Sequence, residues 1–323
     1  MSTPSILVTG AGGYLGGQLI AALAKGEIPA SRITAVDVRE TPTERRLAGI
    51  DYRQADVRSP ALIQLFGECK ADIVVHLASI VTPGKKSNRE FEYSVDVLGT
   101  ENVLKACASA RAKKIIVSSS GAAYGYYPDN PRWITEDCPI RGNEVFAYAH
   151  HKRLVEEMLA RWRTEHPELE QVVLRIGTIL GETVKNQITD LFDKPRLVAI
   201  RGSDSPFVFI WDQDVVGSIL HAIATDKTGV YNVAGDGALT IFEIAAKLDK
   251  RCVVLPALLV RTALGALKTL RLTQYGPEQL DFLRYRPVLL NTRLKTEFGY
   301  VPKLTSAQVF NLFIESRRKR KPT

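Results

Sequence analysis

Hydrophobic positions along the chain keep two rhythms. In the first half, short β-rich runs at 6–9, 33–37, 52–55, 73–77, 114–118 and 172–175 alternate with longer stretches of helical period at 14–25, 61–69, 89–110 and 146–165. Several runs are apolar on consecutive residues, as at Ile115, Ile116 and Val117, the pattern of strands covered on both faces. This alternation predicts an α/β fold, a Rossmann-type doubly wound parallel sheet over residues 1–176. Beyond Gly177 the rhythm loosens, with breaks at Gly181, Pro195, Gly202, Pro206, Gly229, Gly235 and Gly237. A smaller mixed substrate-binding region is expected over 177–316, and 229–233 reads as a strand returned to the main sheet. The apolar stretch 253–267 is interrupted by Pro256 and Arg261 and is shorter than the ~20 residues of a spanning helix. It is expected as a buried or lid helix, with peripheral membrane contact as the alternative and no stable membrane insertion.

Directly after the first strand run, Gly10, Gly13 and Gly16 stand three apart, with Gly12, Tyr14 and Leu15 between them, and lead into a helix. Gly10 suits a tight turn, Gly13 admits a pyrophosphate close to the backbone, and Gly16 lets helix and strand pack closely. The helix N-terminus then offers free N–H groups to the phosphates. Asp37, at the end of the second strand, is placed to accept from the adenosine ribose hydroxyls and favours NAD over NADP; Arg39 keeps NADP open. Asp56 and Val57 either line an adenine pocket or, for Asp56, cap the next helix.

Tyr148 and Lys152 stand four apart, so both project from one helix face, where the ammonium would favour phenolate. A phenol of pKa ~10 is a poor base at neutral pH, and such a neighbour tunes it for proton exchange with an alcohol. Ser118, Ser119 and Ser120 close a buried strand on the side where open α/β sheets bind ligands, and one of them can hydrogen-bond a substrate oxygen. His150 and His151 receive no role.

The chain resembles an extended short-chain dehydrogenase/reductase of the NAD-dependent epimerase/dehydratase group. The residues that carry the resemblance are 9–16, Asp37, Asp56 with Val57, 76–79, 118–125, 148–152 and 174–181, with weaker similarity at 209–214, 231–235 and 292–302. The resemblance implies Ser120, Tyr148 and Lys152 as the catalytic group, Lys152 also holding the nicotinamide ribose. It adds Leu77, Ala78, Ser118 and Tyr148 to the cofactor contacts, and Ser79 to the substrate side. Sugar 4,6-dehydratases carry an acidic pair where this chain has Gly121 and Ala122, so dehydration is not expected. Thr178 stands where many sugar-nucleotide epimerases have Asn, and Asp96 replaces a frequent Asn. Arg284 and Arg286 either bind an anionic group or lie on a solvated loop.

The resulting expectation is NAD-dependent hydride transfer at a secondary alcohol or ketone carbon, on a nucleotide sugar if epimerase-like, or on a smaller or more apolar carbonyl if a dehydrogenase or ketoreductase. A dinucleotide-binding sensor without chemistry would need none of Ser120, Tyr148 and Lys152. The 323 residues, 45% of them hydrophobic, suffice for a full core. The net charge of +8 is concentrated in part in 317–323, read as a solvated basic tail with no nucleic-acid role. Cys69, Cys107, Cys138 and Cys252 are too scattered to suggest a metal site or disulfides, and residues 1–8 leave no room for a signal peptide. The cytoplasm is the expected compartment, and pairing of the long helices in a homodimer the expected assembly.

Overall fold

The computed structural model describes residues 3–81, 88–270 and 276–320. The strands are β1 Ser5–Thr9, β2 Arg32–Asp37, β3 Ile50–Gln54, β4 Ile73–His76, β5 Lys114–Ser120, β6 Glu170–Ile176, β7 Thr178–Leu180, β8 Arg196–Ile200, β9 Phe209–Trp211, β10 Gly229–Val233 and β11 Arg251–Leu255. The helices are α1 Tyr14–Ala24, α2 Leu62–Cys69, α3 Arg89–Tyr93, α4 Gly99–Ala110, α5 Ala147–Glu165, α6 Gln187–Asp193, α7 Asp212–Ala224, α8 Ile241–Lys247, α9 Ala257–Thr269, α10 Gln279–Arg284 and α11 Ser306–Arg320. Seven strands form one sheet in the order β10-β6-β5-β4-β1-β2-β3, and every pairing in it is parallel. The expected return of 229–233 to this sheet is present as β10 beside β6. Two small parallel pairs, β8 with β11 and β7 with β9, lie outside it.

One face of the sheet packs α1 and α7 through Leu19, Leu23, Val215 and Ile219; the other packs α2, α4 and α5 through Phe66, Leu104, Val155 and Leu159. Burial on both faces accounts for the unbroken apolar runs. A third cluster, rich in Phe192, Phe209, Phe310 and Phe313, holds β8, β9, α8 and α11 together. Because β1 lies between β2 and β4, the chain leaves it to one side and returns on the other. The crevice at the carboxyl ends of β1 and β4 is therefore the switch point where such sheets bind ligands.

Three expectations are corrected here. The helix expected over 89–110 is interrupted: α3 passes into a π-helical turn at Ser94–Leu98 before α4 begins. The periodic pattern hides this because the wide turn keeps the helix direction while rotating Asp96 inward, where it is buried and accepts the Ile80 N–H at 2.8 Å. The stretch 253–267 is not a buried helix, since its first residues belong to β11, Pro256 caps α9, and no residue of α9 is buried. The basic tail is not free over its whole length. Residues 317–320 form the last turn of α11, with Arg317 paired to Asp193 and stacked 4.6 Å from the Phe313 ring.

At the centre of the sheet, His76 bonds Thr9 Oγ1 through Nδ1 at 2.7 Å and Thr100 Oγ1 through Nε2 at 3.0 Å. Thr100 spends its proton on the Asp96 carbonyl at 2.6 Å, so Nε2 is the donor and the ring is neutral. Burial, aided by the charge of Lys152, pushes its pKa from 6.5 down to about 3. Between these values the unfolded chain binds the extra proton, so stability falls as the pH drops from 6.5 toward 3, at about 1.4 kcal/mol per unit. Urea midpoints followed across that window are expected to fall less steeply for His76→Asn than for the native chain; equal slopes would remove His76 as the source.

Candidate active site

The turn between β1 and α1 forms as its glycines require. Gly10 has φ +73°, and a Cβ there would lie 2.6 Å from the Ala78 amide nitrogen, so both its backbone angle and its packing against the end of β4 exclude a side chain. Gly16, one turn into the region, is closed by the Gly10 carbonyl and Ala11 in the same way. The N-terminus of α1, with no acidic residue in its first turn, consequently opens on a cavity of about 400 Å³ lined by Gly10, Gly13, Tyr14, Leu15 and Gly16. At the end of β2 the buried Asp37 carboxylate accepts the Gly12 N–H at 2.9 Å and the Arg39 N–H at 3.0 Å, while the Arg39 guanidinium reaches the Gly12 carbonyl at 3.2 Å. Bare glycine backbone at a helix N-terminus, with a carboxylate one strand away, fits the diphosphate and ribose of a dinucleotide.

β5 runs two residues further than its apolar pattern, so Ser118, Ser119 and Ser120 are its final residues. Ser118 and Ser120 line the cavity with Leu77, Ser79, Tyr148 and Lys152. Lys152 is buried; its Nζ donates to the Ser118 carbonyl at 2.9 Å and lies 5.6 Å from the centre of the Tyr148 ring. The serine strand end, the phenol and the amine thus meet on one cavity wall. The acidified phenol does not: burial pushes Tyr148 up to about 12, the Ser120 hydroxyl lowers it and the Asp96 charge raises it. Burial also depresses the pKa of the Lys152 ammonium, while the Asp96 and Glu156 charges raise it.

Behind this wall sits a buried ionic network. The Glu156 carboxylate, one turn beyond Lys152, accepts the Ser119 hydroxyl at 2.5 Å and pairs with Arg175 of β6 at 2.7 Å. Arg175 continues to the Tyr124 hydroxyl at 2.7 Å, which donates to Asn232 at 2.8 Å. α5 is thereby fixed against β5, β6 and β10. His151, without an assignment from the sequence, is buried with Nδ1 3.4 Å from Asp96, so the π turn and α5 are joined beside Lys152.

The substrate side is built by later segments. Thr178 and Arg286 line the cavity, as does Ser79, whose buried hydroxyl lies near the Asp96 carboxylate. Arg286 stands with its guanidinium 3.8 Å from the Phe207 ring centre and 4.6 Å from that of Phe282. It makes no ion pair or hydrogen bond among the described residues, and its Nε is sealed from solvent. Burial pushes it down to about 9, still charged at neutral pH. Arg284 does not line the cavity.

Asp56 is bound by Arg58 at 2.6 Å, Val57 is buried against Gly99, and Ala78 packs on Gly10; like Gly12 and Asp37, these three are not among the residues that line the cavity. Sequence reading missed Tyr126, Val184, Ile188, Phe207, Phe282 and Leu289, which shape the cavity. Their chemistry is that of ordinary core residues, and only the tertiary fold turns them inward. It also missed Asp212 at the start of α7, which accepts the Tyr14 hydroxyl at 2.5 Å and fixes the glycine turn against α7.

The family model described as the NAD dependent epimerase/dehydratase family matches residues 6–234. The chain belongs to this family. Among its relatives, an uncharacterized protein of Mycobacterium tuberculosis is 25% identical over 315 residues, covering 97% of this chain and 84% of its own. A UDP-glucose 4-epimerase of Azospirillum brasilense is 30% identical over 182 residues, 56% of this chain and 50% of the relative. In fold, this epimerase/dehydratase-family chain is similar to the Thermotoga maritima UDP-glucose 4-epimerase solved with UDP-glucose, at a TM-score of 0.74 and 19% identity over 98% and 99% of the two chains. It is likewise similar to the Bordetella bronchiseptica enzyme WbmG solved with NAD and UDP, at 0.73 and 20% over 98% and 95%. Among the described residues no helix is long and apolar enough to cross a membrane.

Proposed function

We propose that this chain is a sugar-nucleotide epimerase-like enzyme that oxidises and re-reduces a secondary alcohol carbon of a nucleotide sugar. The observation that carries the reading is Arg286, a charged guanidinium that among the described residues is held by two aromatic rings alone, in the wall of the cavity that also holds Ser120, Tyr148 and Lys152. An unpaired cation in such a place calls for an anionic substrate group, and a diphosphate supplies one. The similar structures solved with UDP or UDP-glucose support the same class.

The Gly10–Gly16 turn fits NAD, with Asp37, which accepts the Gly12 N–H, for the adenosine ribose and the cavity-lining Lys152 for the nicotinamide ribose. When bound, NAD would supply the acceptor, and on return the donor, of the hydride at the carbinol carbon. Tyr148 removes the hydroxyl proton and later returns one; Ser120 holds the substrate oxygen; Lys152, anchored on the Ser118 carbonyl, sets the phenol in place. With the phenol at about 12 in the bare cleft, proton removal depends on positive charge arriving beside it with the reactants.

A second reading, an NAD(P)-dependent dehydrogenase or ketoreductase on a smaller or more apolar carbonyl, draws on the apolar Phe207, Phe282 and Leu289 around Arg286 and on Thr178. The experiment measures released cofactor and turnover with UDP-hexoses. Epimerisation is expected with retained NAD and no accumulation of NADH. Net NADH consumption with simple ketones and none with UDP-hexoses would replace the first reading by the second. Arg286→Ala is expected to lower kcat/KM for a nucleotide sugar about 10–100-fold with NAD affinity unchanged; an unaltered KM would remove Arg286 from the substrate site.

A further inference from the structure

The phenol of Tyr14 stands on a border. It lines the dinucleotide cavity beside Gly13 and Gly16, and it also lines a second pocket, on the side of α7, with Gln18, Thr183 and Asp212. Its hydroxyl is committed to that second side: it donates to Asp212 at 2.5 Å and accepts a longer bond from Thr183 at 3.4 Å. Burial first, and then the bond to the carboxylate, push the phenol up to about 12, so it keeps its proton and remains a donor. Gln18, one helical turn beyond Tyr14, reaches the same carboxylate oxygen at 3.3 Å and accepts from the Gln213 side chain at 2.5 Å.

Asp212 is a fixed anchor. It is the first residue of α7, only 5% exposed, and its other oxygen accepts the Gln213 N–H at 2.8 Å. The pairing of Leu180 with Trp211 carries Gly181 alongside it, where a Cβ would fall on the carboxylate. From there the chain runs through Thr183 into Val184, Lys185 and Asn186, which line the dinucleotide cavity. One carboxylate therefore ties the glycine turn to a segment walling the same cavity, through the side chain that divides this cavity from its neighbour.

We propose that Asp212 is a positioning residue for cofactor exchange: it holds the Tyr14 ring across the edge of the dinucleotide site, and the dinucleotide enters and leaves at the rate at which this clasp opens. The inference needs a dinucleotide at the Gly10–Gly16 turn and is independent of whether the chain epimerises or reduces. Both the proton and a lone pair of the Tyr14 hydroxyl are directed to protein groups, so the bond uses no atom of the cofactor. Such a bond stabilises the free and the loaded protein alike; it raises the barrier between them and leaves the affinity as it was.

The test is stopped-flow fluorescence of NADH with the full chain, giving association and dissociation rate constants beside the equilibrium Kd. Tyr14→Phe and Asp212→Ala are each expected to raise both rate constants about tenfold, with Kd moving by less than about threefold. The double variant should be no faster than either single one, because each breaks the same bond. Asp212→Asn, which keeps an acceptor for the phenol, should recover most of the native slowness. The proposal is overturned if Tyr14→Phe, which deletes one oxygen and keeps the ring, exchanges NADH at the native rate, whatever Asp212→Ala does to the fold. It is overturned equally if Kd rises in step with the dissociation rate at an unchanged association rate, since the hydroxyl would then bind the cofactor itself, or if Tyr14→Phe is fast while both Asp212 variants match the native chain. A native chain that binds no NADH would remove the cofactor site, and the clasp with it.

Discussion

Tyr148→Phe is expected to lower turnover by about 10²–10⁴-fold while dinucleotide affinity stays near the native value. The substitution removes one hydroxyl from a ring packed beside Lys152 and leaves the Gly10–Gly16 turn and Asp37 untouched. Turnover and equilibrium binding of NAD, measured on the same preparation, separate the two effects. Native turnover in Tyr148→Phe would end the assignment of the phenol as the proton-transfer group. A joint loss of activity and binding would show that the ring holds the cofactor and would leave its chemical role without support.

The largest expected loss of stability comes from Glu156→Ala. It strands the Arg175 guanidinium, whose Nε now donates to both carboxylate oxygens at 3.1 and 2.8 Å, in a site closed to water, and it frees the Ser119 hydroxyl. Removing one partner of a buried pair costs about 3–5 kcal/mol, a fall in Tm of roughly 6–12 °C in a chain of this size. Glu156→Gln, which keeps an acceptor but loses the charge, should fall between the two. Calorimetry giving Glu156→Ala a native Tm would mean that the network contributes little to holding α5 on the sheet.

The sheet and the glycine turn were legible because their constraints are local. Consecutive apolar residues such as Ile115, Ile116 and Val117 can satisfy only a strand covered twice, and Gly10 has no substitute at φ +73° against Ala78. Tyr148 and Lys152 were legible for the same reason, since four residues of helix fix their relative direction. Three features were not. The π turn at Ser94–Leu98 preserves the apolar period on either side and shows itself only through the inward Asp96. The basicity of the phenol depends on how deeply α5 is buried, which a pair spacing does not express. The apolar stretch 253–267 was expected as a buried or lid helix because hydrophobicity favours burial, but its first residues form β11 and no residue of α9 is buried.

Phe207 and Phe282 hold Arg286 by the flat sides of its guanidinium, leaving the in-plane N–H edges uncommitted among the described residues. The segment that follows is latched in place, the Ile134 N–H donating to the Val288 carbonyl and the Leu290 N–H to the Ile134 carbonyl, each at 2.8 Å. The cleft therefore carries a standing preference by charge ahead of any preference by shape: a neutral guest must dehydrate a cation without repaying it, while a dianion finds a fork already open.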